Sequence, residues 1–176
     1  MFSISITRET RNLEKLVEKM ERLAKEKVET GVFIEQGEHP TANMTYVELA
    51  RMHEEGDGDF PPRTVRNILL NKMKDRSFVE KAGIEVRKHL LGDYSDSYAL
   101  NKVGEIMSSM GKSFFGKVSY PDMPTNSPYT IAEKGFNAPL VDEGYLRDAW
   151  AYKTSISDYI VAVSYTHLTL PTTSVV

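Results

Sequence analysis

The sequence has no cysteine. Disulfides and thiolate metal sites are therefore excluded, and the absence fits a reducing compartment. No apolar run approaches the ~20 residues of a membrane span. The N-terminus lacks a basic stretch followed by an apolar core, so no secretory leader is expected. No second histidine follows His53 at the spacing of a His-Glu-x-x-His metal motif. Neither charge is in large excess: 22 Lys+Arg against 25 Asp+Glu leave a formal net charge of −3. That near balance gives no reason to expect a broad nucleic-acid surface. What is present suits one soluble domain with its own core: 176 residues, 40% hydrophobic and 27% charged, an ordinary globular composition.

Hydrophobic periodicity places the elements. Phe2, Ile4 and Ile6 alternate with Ser3, Ser5 and Thr7, which predicts a half-buried strand. Leu13, Leu16, Val17, Met20, Leu23 and Ala24 repeat at three and four and predict an amphipathic helix. Its apolar stripe is expected to pack on the protein's own sheet; an oligomerisation helix is the other use for it. Val28, Thr30, Val32 and Ile34 alternate as a second strand, followed by a turn-rich loop over residues 37–43. Thr45 can cap a helix through Val47, Leu49, Ala50 and His53. Val65, Ile68, Leu69 and Met73 make another stripe, continued after a break near residues 75–77 by Val79, Ala82, Val86 and Leu90. Ser95 or Ser97 can cap a helix whose buried face is Val103, Ile106, Met107, Met110 and Phe114. Trp150, Tyr152 and Thr154, then residues 159–162, predict a closing hairpin. The expected fold is α+β: one domain over residues 1–162, with a small antiparallel sheet (N-terminal strand, Val28 strand and hairpin) packed with several helices.

Three chemical readings compete within this pattern. Residues 45–70 have the layout of a helix-turn-helix, with Arg63, Arg66 and Asn67 suited to phosphates and base edges. Against it, Glu54, Glu55, Asp57 and Asp59 would repel phosphates, and the connection is longer than the usual tight turn. His53 beside Glu54 or Glu55 is the material of a small hydrolase, but no nucleophile stands with them. Gly104 and Gly111-Lys112-Ser113 resemble a phosphate loop, yet six residues separate the glycines where the motif has four. The segment also reads as helix throughout. No cofactor, metal or catalytic set is expected.

The most informative stretch is residues 126–150, NSPYTIAEKGFNAPLVDEGYLRDAW. Two prolines and two glycines punctuate three short elements: Pro128 fixes a backbone angle and removes a donor, while Gly135 and Gly144 allow angles that other residues avoid. Asp142 can cap the turn over residues 143–148, and Arg147 can pair with Asp142 or Glu143 or serve an intersubunit contact.

The order Asn126-Ser127-Pro128, Thr130-Ile131-Ala132, Lys134-Gly135, Pro139-Leu140, Asp142, Gly144, Leu146-Arg147 resembles the C-terminal signature of the tailed-phage virion morphogenesis family. Upstream, residues 50–56 with His53, Glu54 and Gly56, followed by Phe60-Pro61-Pro62-Arg63, are similar to that family's Ala-x-x-His-Glu-x-Gly segment and Pro-x-Arg-Pro step. Residues 28–35 match its first core strand more loosely. Glu143 stands where the family usually has Thr, and Thr64 where it has Pro. The resemblance covers most of residues 28–150. It implies a structural protein rather than an enzyme, a minor tail or neck component acting in tail completion or head–tail joining. It also implies a homo-oligomeric ring, other tail or connector proteins as partners, and a place in the virion after assembly in the host cytoplasm. No membrane or sequence-specific nucleic-acid partner is implied.

Residues 163–173, VSYTHLTLPTT, resemble one translated frame of a transposon end used in sequencing-library preparation. The native sequence is therefore expected to stop near Val161 or Ala162, with residues 163–176 left out of any structural reasoning.

Overall fold

The computed structural model describes residues 3–58 and 60–162. The adaptor-like segment and Phe2 lie outside them. The described chain runs α1 (Ser3–Leu23), β1 (Val28–Gly31), a 3-10 turn (Ile34–Gln36), α2 (Tyr46–Glu55), α3 (Val65–Lys72), α4 (Arg76–Leu91), α5 (Asp96–Lys112), α6 (Pro128–Lys134), α7 (Tyr145–Ala149), β2 (Ala151–Thr154) and β3 (Ser157–Ala162). Helices surround one small sheet, and the class is α+β.

The sheet is antiparallel in the order β1-β2-β3, with Val28 opposite Thr154 and Ala151 opposite Ala162. The closing hairpin is where the sequence puts it. The N-terminal strand is not: helix α1 runs through that segment. A few alternating residues are a short signal beside a strong helix, because extending a formed helix costs far less than starting one. β1 also ends earlier than the alternation suggests, at Gly31, whose φ of +152° turns the chain out of the sheet. Gln36 then holds the turn by accepting from the Phe33 N–H at 2.7 Å.

Local chemistry starts and stops the other helices. Thr45 and Glu48 form a reciprocal capping box at the head of α2. Ser95 caps α5 and Ser127 caps α6, each accepting a backbone N–H bond at 3.1 Å. The expected break near residues 75–77 is the start of α4, with Asp75 at its N-cap position. Residues 130–133 belong to a full helix with Pro128 at its start and Gly135, at φ +78°, at its end.

The core joins α3 (Val65, Ile68, Leu69) to Phe114, Phe115, Met123, Leu146 and Trp150. Against it lies α5, and here the buried face differs from expectation. Gly104, Met107, Ser108 and Gly111 are buried, while Val103, Ile106 and Met110 are half-buried. The glycines explain this. A Cβ on Gly104 would collide with the Tyr152 ring, and one on Gly111 with the Trp150 indole. β2 therefore lies closer to α5 than a larger residue would permit. Ser108 Oγ seals the contact by donating to the Trp150 carbonyl at 3.3 Å. These two glycines serve packing, not a phosphate loop.

α1 does not pack on the sheet. Its stripe residues Leu13, Val17 and Met20 are 61%, 45% and 51% exposed. Polar ties fasten its C-terminal half to α4 and α5 instead. Lys19 Nζ donates to the His89 and Gly92 carbonyls at the end of α4, at 3.2 and 2.6 Å. Arg22 pairs with Asp96 at 3.1 Å and with Glu18 at 3.6 Å.

Candidate functional site: a cleft between two distant segments

An open cleft of about 1080 Å³ lies between the end of α2 and the α6–α7 region. Its first wall is built by the return of the chain after α2. Gly56 ends that helix at φ +76°, and a Cβ there would stand 2.9 Å from the Pro62 ring. Gly56 and Pro62 thus fit one another, and the Arg63 N–H closes the return on the His53 carbonyl at 2.7 Å. Glu54 turns away from the cleft. Its carboxylate accepts the Arg66 N–H at 2.9 Å, and burial raises its pKa above the usual carboxylate range.

The second wall is the segment 126–146. Ser127 and Pro128 start α6, and Gly135 ends it. Lys134 Nζ donates to the Val141 carbonyl and lies 5.1 Å from the Phe136 ring centre. Pro139 is buried, and its carbonyl accepts the Gly116 N–H at 2.8 Å. Leu140 has φ +60°, a left-handed angle that a leucine rarely adopts. Gly144, at φ +91°, takes the N-cap position of α7. Asp142 is exposed and does not cap that helix, because the chain enters through Gly144 with no side-chain cap bond. Leu146 faces the core, and Arg147 pairs with Asp148 at 3.0 Å rather than with Asp142 or Glu143.

Arg63 joins the walls. It is only 8% exposed. Its guanidinium donates to the Pro124 and Thr125 carbonyls at 3.4 Å each and to Asn126 Oδ1 at 3.3 Å. The upstream motif is thereby tied to the first residue of the downstream one. Asn126 is 5% exposed, and its own N–H donates to Asn137 Oδ1 at 3.2 Å. His53 sits near Phe60, ring centres 5.6 Å apart. Burial, then the positive charges of Arg63 and Lys134, push its pKa down to about 4, so the ring is neutral at pH 7. Two buried nitrogens of cleft-lining residues have no hydrogen-bond partner among the described residues, His53 Nδ1 and Asn126 Nδ2.

The predicted site residues therefore divide. His53, Arg63, Asn126, Ser127, Pro128, Lys134, Leu140, Asp142, Gly144 and Leu146 all line the cleft. Gly56, Pro62, Gly135 and Pro139 shape its walls from behind, while Glu54 and Arg147 are engaged elsewhere. Sequence reasoning missed Thr125 and Asn137, whose mutual bond at 2.7 Å braces Asn126, and His39, which stacks edge-on against Tyr145 at 5.6 Å. Nothing in their spacing marks them.

The site defines a class: a small α+β domain with one open, half-polar cleft made by two sequence-distant segments. No family model matches the chain, and no curated protein or solved structure is significantly similar to it. No helix among the described residues is long and apolar enough to cross a membrane.

Proposed function

We propose that this protein is a structural morphogenesis component of a tailed phage, acting in tail completion or head–tail joining as a ring of identical subunits. One observation carries the reading. The two segments that resemble the virion morphogenesis family stand more than sixty residues apart, yet they meet across one cleft through the Arg63–Asn126 bond. Residues chosen for that resemblance make a common architecture, with special backbone angles at Gly56, Gly135 and Gly144 where the motif has glycine. An exposed apolar face on α1 is compatible with a subunit contact in such a ring.

The helix-turn-helix reading is weakened by the same geometry. Arg63 is buried and engaged, and Glu54 places a carboxylate at the head of α3, the end that would approach DNA. The hydrolase reading is weakened because Glu54 bonds to α3 rather than to His53.

The test is the mass in solution of residues 1–162 by light scattering, with negative-stain images of the same fraction. A closed ring is the expected outcome. A monomer that binds duplex DNA in low salt, and loses it in Arg66→Ala, would replace this reading with the regulatory one.

A further inference from the structure

The cleft floor has donors without acceptors. A guanidinium only donates, so the Asn126 amide must turn its oxygen toward Arg63. Its nitrogen is left facing away, buried and unpartnered. The amide cannot be flipped to relieve this without setting donor against donor. Arg63 is placed differently. Nε and Nη2 are bonded to neutral oxygens, Nη1 makes no bond within the described residues but is not sealed from solvent, and no carboxylate among them pairs with the guanidinium. A buried cation with only neutral partners is costly, and an incoming anion relieves that cost.

Three further features narrow the ligand. Arg63 and Lys134 both line the cleft, and their positive charges act in the same direction as burial in lowering the His53 pKa, so the floor favours an anion. Exposed Glu133, Asp142 and Glu143 stand at the rim, which disfavours a dianion more than a single negative charge. At about 1080 Å³, with Leu49, Phe60 and Leu140 on its walls, the cleft is far larger than a lone ion and has apolar surface for the chain that carries it.

We infer that the cleft binds an acidic peptide segment of a partner chain, its side-chain carboxylate accepting from Asn126 Nδ2 and Arg63 Nη1. That the segment belongs to an assembly partner rests on the proposed function; the carboxylate site itself does not.

The probe is acetyl-Ala-Asp-Ala-amide, titrated into nitrogen-15-labelled protein while the Asn126 side-chain amide and the Arg63 guanidinium signals are followed. The same titration is made with acetyl-Ala-Asn-Ala-amide and with inorganic phosphate. The expected result is a saturable shift of both groups with the Asp peptide and none of comparable size with the other two. Asn126→Asp keeps an acceptor for Arg63 but sets a negative charge where the ligand carboxylate belongs. It should fold and should weaken the Asp peptide by about tenfold or more, read at the Arg63 Nε signal. Should that variant fail to fold, the contrast between Asp and Asn peptides decides alone. An equal response to the Asn peptide, an equal or tighter response to phosphate, unchanged binding in folded Asn126→Asp, or no saturable shift at all overturns the inference. None of these outcomes bears on ring formation, which is read from mass.

Discussion

Gly104 sits where the Tyr152 ring crosses α5, and the contact leaves no room for a Cβ. Gly104→Val should therefore destabilise by about 1–3 kcal/mol or more through overpacking, seen as a lower urea midpoint. His53 makes a different prediction. Its folded-state pKa of about 4 lies below the ordinary histidine value of 6.5. The folded protein binds fewer protons than the unfolded chain between those values, so stability is full above about pH 6.5 and falls as pH drops toward 4. Replacing the ring by leucine removes this pH dependence. The melting temperature of His53→Leu relative to the parent should rise steadily from pH 7 to pH 4.5; a constant difference would mean that the ring does not titrate in that window. Raised Glu54 works the other way, with stability lost as pH rises through its folded pKa, and His53→Leu leaves it in place. At this scale the sequence announced the identities of His53, Arg63 and Asn126. It could not announce their mutual bonding, because Arg63 and Asn126 meet across an intervening sequence that encodes no distance.

At the scale of elements, what was legible had a local cause. Thr45 and Ser95 were readable as caps because a cap needs only its own next three residues. Glycine at the end of α6 was readable for the same reason. Two of the misreadings concern faces. α1 was assigned an inward stripe, yet Leu13, Val17 and Met20 face outward, because periodicity reports that a helix has two sides and not what covers one of them. The buried side of α5 was read only in part: Met107 and Phe114 are buried as expected, but Gly104, Ser108 and Gly111 carry no hydrophobic signal. Asp142 was misassigned as a cap because the positive φ of Gly144 sets the entry to α7 instead. These causes rank two substitutions. Ser127→Ala removes one cap bond and should cost about 1 kcal/mol. Gly144→Val forces a β-branched residue to φ +91° and should cost more, on the order of 1–3 kcal/mol, with loss of assembly. Urea midpoints should fall in that order, and a Gly144→Val protein that melts and assembles normally would remove the importance given to this turn.

At the scale of the molecule, the surfaces available for association differ in kind, and that makes the mode of assembly testable. The chain carries a formal net charge of only −3, so identical copies repel one another weakly. The apolar face of α1 is set among charged neighbours such as Glu14, Lys15, Glu18 and Glu21, and lies open in the isolated chain. A ring closed through that face would be held chiefly by apolar burial. Such contacts survive added salt and weaken on cooling, whereas contacts between charges weaken with salt. Oligomer mass should therefore hold from low to high sodium chloride and decline near 0 °C. Changing Leu13, Val17 and Met20 together to serine should shift the population toward monomer at fixed concentration. The melting temperature of that monomer should match the parent protein diluted to the same state, because these side chains are already exposed and contribute little to the fold of one subunit. If the triple variant still assembles, the subunit contact lies elsewhere. If assembly instead dissolves in salt, the contact is charged, and the acidic cleft rim at Glu133, Asp142 and Glu143 becomes the surface to change next.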